Sequence, residues 1–129
     1  MTHYPGLDEV LAAHARLIHL FGGATGLRDL GSLESALARP QTGYYQDLIE
    51  QAAALLESLS QNHPFIDGNK RTAIAVTAAF LRVNGWRLDF DDLDAYHFLI
   101  QLYQTNSFCL AVLEPWLRQH ARRAGGDTG

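Results

Sequence analysis

Apolar residues recur at Leu7, Val10, Leu11, Ile18 and Phe21, a spacing that lays them along one side of a helix and predicts an element from Leu7 to Phe21. Gly22-Gly23 ends it. From Gly22 to Gly31 there are four glycines and no sustained period, which predicts an irregular excursion with room for a short strand. Ser32 is placed to cap a brief helix through Arg39 that Pro40 stops. Leu48, Ala52, Leu55, Leu56 and Leu59 then share one face of a helix from about Gln46 to Asn62. Pro64 disfavours helical geometry at His63 and closes that helix.

A further helix runs from about Asn69 to Asn84, apolar on nearly every side, which predicts a central, buried position; Asn84-Gly85 is its stop. Trp86 to Phe90 reads as a short extended piece. Asp91 or Asp92 caps a helix with the stripe Leu93, Tyr96, His97, Ile100 and Tyr103. Asn106 or Ser107 opens the last helix, which carries Phe108, Val112 and Trp116 and which Pro115 should kink or divide. Ala124 to Gly129 have nothing to bury and should fray. Strong strand patterns, repeats and linkers are missing, so the class is mainly α and residues 1–129 read as a single domain.

Composition narrows the function classes. A chain of 129 residues, 47% hydrophobic, can hide about two-thirds of its unfolded surface and needs no covalent staples. The lone Cys109 rules out an internal disulfide and fits a reducing compartment, hence a cytoplasmic expectation; within an apolar helix it reads as a small core residue. No basic-then-apolar leader and no run of about 18 apolar residues is present, so neither secretion nor membrane insertion is expected. A net charge of −4 argues against a direct nucleic-acid partner, and Arg118, Arg122 and Arg123 read as a solvated helix end. The nine arginines are accompanied by a single lysine, Lys70.

That lysine belongs to the segment His63-Pro64-Phe65-Ile66-Asp67-Gly68-Asn69-Lys70-Arg71-Thr72, between two predicted helices. A loop feeding a helix N-terminus presents unpaired N–H groups and the positive end of the dipole, an anion site. Gly68 allows close approach of backbone to an anion, and Lys70 and Arg71 add a point charge and a planar fork. Two cations in a first turn oppose the helix dipole, which itself calls for a bound anion. Asp67 suits either an N-cap or a Mg²⁺ ligand, and His63 suits a general base. Phe65 and Ile66 read as anchors to the core. The segment is not a Walker loop, since the first glycine is missing and Arg71 follows the lysine.

Other candidates carry less. His14 and His97 lie on apolar faces and read as satisfied core or interface histidines. Asp89, Asp91, Asp92 and Asp94 have neither the glycine nor the glutamate of a calcium loop and read as caps. Tyr44 and Tyr45 read as packing, or as the edge of a cleft.

The stretch His63 to Arg71 resembles the signature of Fic/Doc proteins, and lysine at position 70, where most Fic enzymes have glycine, is similar to the Doc (death-on-curing) branch. Gly26-Leu27-Arg28-Asp29, Leu33 to Pro40, Phe80-Leu81 and Asn84-Gly85 extend the resemblance over roughly Leu7 to Trp116. It implies a bundle of about six helices, with His63 as base towards a Ser/Thr hydroxyl, Asp67 holding Mg²⁺, and Gly68, Asn69, Lys70 and Arg71 on the phosphates. For the Doc branch it implies transfer of the γ-phosphate of ATP to a target such as a translation elongation factor, under an antitoxin's restraint. Adenylyl transfer of the Fic kind, or an idle partner-binding module, are the alternatives. Self-restrained Fic enzymes carry a [ST]-x-x-x-E-[GN] segment, and no glutamate here is followed by Gly or Asn, so restraint is expected from another chain.

Overall fold

A computed structural model describes residues 1–124 of the chain, apart from the side chain of Asp92. Six helices follow one another: α1 Leu7–Phe21, α2 Leu30–Ala38, α3 Leu48–Gln61, α4 Asn69–Val83, α5 Asp92–Gln104 and α6 Leu110–His120. A 3-10 turn, Arg39–Gln41, extends α2, because Pro40 stands at a position where its missing N–H is no loss. Strand β1, Trp86–Leu88, pairs antiparallel with β2, Ala121–Arg123, in the register Trp86 with Arg123, Arg87 with Arg122 and Leu88 with Ala121. The class is therefore mainly α, with one small sheet closing the end of the chain on the exit of α4.

The centre of the bundle is α3 rather than α4. All of Ala52 to Leu56 and Ser58 to Ser60 are buried, and α3 packs against α2, α4 and α6. Alanines and serines make this possible, since small side chains let three helices approach one axis. Three helices start on carboxylates and two on glycines: Asp29 accepts from Ser32 N–H, Asp47 from Glu50 N–H and Asp91 from Leu93 and Asp94 N–H, while Gly6 opens α1 and Gly68 opens α4. Asp29, not Ser32, is thus the cap of α2, with Ser32 Oγ donating to it at 3.0 Å.

Several expectations are corrected by packing. In α5 the core face is Ala95, Leu99 and Leu102, and Leu93, Tyr96 and His97 point outward. In α6 the buried residues are Leu113 and Leu117; the helix begins after Cys109, which caps it half-buried, and it runs through Pro115 undivided. Arg122 and Arg123 lie on β2, with Arg123 over the Trp86 ring at 5.2 Å, while Arg118 bridges Asp47 and Glu114. Phe21 ends the α1 stripe exposed. Tyr45 takes a hydrogen bond from Arg39 at 2.7 Å and Tyr44 is exposed beside it. Ala124 N–H donates to Gly85 O at 2.8 Å, so fraying does not begin there, and the rest of the expected tail, residues 125–129, lies outside the described residues. Among the described residues no helix is long and apolar enough to cross a membrane.

Candidate functional site

The loop between α3 and α4 is pinned from three sides. From inside, Phe65 is 2% exposed, and Asn69 folds back on it: Phe65 N–H donates to Asn69 Oδ1 and Asn69 Nδ2 donates to Phe65 O, both at 2.9 Å. From α1, His14 lies flat on the Phe65 ring, 3.8 Å between centroids. From the glycine-bearing segment 22–31, Leu27 bridges Phe65 in antiparallel fashion, Ile66 N–H donates to Gly26 O at 3.1 Å, and Pro64 O accepts from Arg28 and Asp29 N–H. That segment is a strap across the loop.

Its glycines explain how it comes so close. A Cβ on Gly23 would stand 2.8 Å from Asp67 Oδ2, and Gly23 has φ +121°. Gly26, at φ +118°, faces Ile66 in the same way. Ile66 is 59% exposed and covers the strap, so the loop is anchored in the core by Phe65, beside the buried Pro64, and not by Ile66.

His63 is exposed at the lip of the loop, with φ +47°, a left-handed conformation uncommon outside glycine. Arg28 holds it there: its Nε donates to the His63 carbonyl and its Nη2 to Asn62 O at 2.7 Å. Such a backbone conformation persists where surrounding contacts over-determine it.

At the other lip, Gly68 takes φ +75° as the N-cap of α4, and Thr72 N–H reaches Gly68 O at 3.0 Å. The N–H groups of Asn69, Lys70 and Arg71 precede that first intrahelical bond and face the helix's positive end. Asp67 accepts from Ala24 N–H at 3.0 Å through one oxygen and from Gly68 N–H at 2.8 Å through the other. These two donors, Ala24 before Gly68, hold its carboxyl below the usual range, with a smaller pull from His14 and Arg71.

A cleft of about 280 Å³ gathers His63, Asp67, Gly68, Asn69, Lys70 and Arg71, closed on its far side by Ile66 and by Tyr96 and Ile100 of α5. Lys70 Nζ sits 4.3 Å above the Tyr103 ring and the Arg71 guanidinium 4.4 Å above Phe21, aromatic rests that hold both cations at the rim. The Asn69 amide is held by Phe65 through its oxygen and one of its two amide hydrogens, so its backbone N–H and the second amide hydrogen are what Asn69 can offer an anion.

Contacts from His14, Arg28, Tyr96, Ile100, Tyr103 and Phe21 are absent from a reading of the motif alone. Gly23 and Gly26 of the strap were the visible signal of close approach. His14 is the buried, bonded histidine expected, whereas His97 is exposed.

The helix-bordered loop sets a histidine at one lip and a carboxylate, a glycine cap and two cations at the other, an arrangement with the donors and charge to accommodate an anion. A family model described as "Fic/DOC family" matches residues 4–81, which include the whole loop, and the chain belongs to that family. It is 48% identical over 98 residues to "Toxin Doc" of Mycolicibacterium smegmatis, 70% of this chain and 73% of that protein. It is also 38% identical over 82 residues to "Protein kinase doc" of Escherichia phage P1, 60% of this chain and 65% of that protein. Within the family, the chain stands in the Doc toxin branch.

Proposed function

We propose that the protein is the toxin of a toxin–antitoxin pair and transfers the γ-phosphate of ATP to a Ser/Thr hydroxyl of a target protein such as a translation elongation factor, in the cytoplasm. The observation that carries this reading is the single cleft that brings His63 opposite Asp67, Lys70 and Arg71 at the start of α4. The kinase name of the phage relative supports a phosphoryl rather than a nucleotidyl donor role.

The steps follow from the side chains. His63 accepts the proton of the target hydroxyl, whose oxygen forms the new bond to the γ-phosphorus as the bond to the β-phosphate oxygen breaks and ADP departs. Lys70, Arg71 and the N–H groups of the first turn of α4 hold phosphate oxygens as charge redistributes. The Asp67 carboxylate fits Mg²⁺: it lines the cleft, is held ionised, and uses one N–H per oxygen, and one carboxylate with phosphate oxygens and water is an ordinary magnesium donor set. When bound, the ion offsets phosphate charge. Phosphate oxygens and water would complete the donor set beside Asp67.

The names of the Doc relatives support an antitoxin partner, which would restrain the protein in trans at the same cleft. An antitoxin segment that folds on binding would supply that restraint. Incubation of the protein with cell extract and ATP labelled at either the α or the γ position, with the intact mass of the modified target, tests the reading. Label from the γ position and a phosphate mass are expected. An AMP mass would replace it with Fic-like adenylylation, and no modification by folded protein would leave an idle binding module.

A further inference from the structure

The chemistry above makes no use of His14, yet His14 is 5% exposed and directed at the site from α1. Its Nε2 lies 2.8 Å from the carbonyl oxygen of Asp67. A carbonyl only accepts, so Nε2 carries the hydrogen and donates it. In a trans peptide the carbonyl of one residue and the N–H of the next point in opposite directions within one plane. Fixing the Asp67 carbonyl therefore fixes the Gly68 N–H, and it is this N–H that donates to Asp67 Oδ1 at 2.8 Å. The ring cannot swing away, because it is stacked 5° from parallel on Phe65. Nor is there slack in the packing. A Cβ on Gly68 would stand 3.7 Å from the His14 ring and 3.1 Å from Ile18 Cδ1.

We propose that His14 is a positioning residue: through the Asp67–Gly68 peptide it orients the carboxylate that holds the metal, and with it the first N–H groups of α4. This rests on the assignment of Asp67 as the metal ligand under the proposed function, and its test requires no turnover.

Three variants separate the roles of the ring. His14→Phe keeps an aromatic surface against Phe65 and removes the donor. His14→Gln keeps an N–H donor at similar reach, and His14→Leu keeps neither. In His14→Phe the Gly68 amide resonance should move, and the dissociation constant for Mn²⁺ with ADP should rise about tenfold, as for loss of an outer-shell partner of a metal ligand. His14→Gln should recover most of both. A folded His14→Phe with an unmoved Gly68 amide and unchanged Mn²⁺ affinity overturns the proposal. Should His14→Phe fail to fold, nitrogen shifts of His14 in the wild-type protein decide: hydrogen on Nε2 supports the proposal and hydrogen on Nδ1 alone overturns it. A protein that transfers no phosphate yet shows these shifts would contradict the phosphotransfer reading while leaving the role of His14 standing.

Discussion

Arg28 grips the backbone of His63: its guanidinium donates to the His63 carbonyl and, at 2.7 Å, to that of Asn62, holding the histidine at φ +47°. Arg28→Ala should leave the helices intact and lower target modification about 10- to 100-fold through misplacement of the base. Arg28→Lys should restore little, because one ammonium cannot span two carbonyls as a fork does. The KM for ATP should stay near wild type, and steady-state kinetics on both variants check this.

His63→Ala should keep the fold, since His63 is exposed and the core lies behind Phe65. Modification should fall by about 10² to 10⁴. Circular dichroism beside a labelled-ATP assay checks both halves, and wild-type turnover in a folded variant would remove His63 from the mechanism.

Asn69→Ala removes two hydrogen bonds to Phe65 and should cost about 1–3 kcal/mol of stability, read by denaturant unfolding. Asn69→Asp should be no better, because a carboxylate cannot donate to the Phe65 carbonyl.

Asp29, Asp47 and Asp67 are each held below the usual carboxylate range, by Ser32, by Arg118 and by the Ala24 and Gly68 N–H groups respectively. A carboxylate lowered in the folded state contributes stability that is complete above its unfolded value, about 4, and is lost as pH falls through the folded value. The melting temperature should therefore hold from neutral pH to about 4 and decline below it. Asp47→Asn should make that decline shallower in a pH series of thermal melts.

Under the proposed function, Lys70 should decide which group is transferred. Its ammonium, resting 4.3 Å above the Tyr103 ring at the rim of the cleft, would offer a point charge to a terminal phosphate. Lys70→Gly should lose phosphate transfer and gain some nucleotidyl transfer, and Lys70→Arg should be poor in both. Mass spectrometry of the target separates the products; full phosphorylation by Lys70→Gly would refute the role.

Local signals carried most of the fold. The α1 stripe and its Gly22 stop, the run of α3 and the stretch from His63 to Arg71 are contiguous, so their residues could be read together. The α5 stripe differs from the core face because Leu93 and Tyr96 are exposed, Tyr96 walling the cleft, while alanine and leucine one step around the helix face the core. α4 seemed central because it is apolar, yet α3 is, because its small side chains let neighbours close on it. Arg28 and His14 could not be placed, since they reach the loop across 35 and 53 residues of chain.

That separation sets the order in which the molecule acquires its chemistry. Helices α3 and α4 are joined by a short connection and can pair early, but the conformation of His63 and the seat of Asp67 depend on the strap arriving from segment 22–31, whose residues bury almost nothing themselves. Contacts of large sequence separation form late and open first. Activity should therefore be the last property gained in folding and the first lost on warming, with a chain that is already helical but harmless on either side of it.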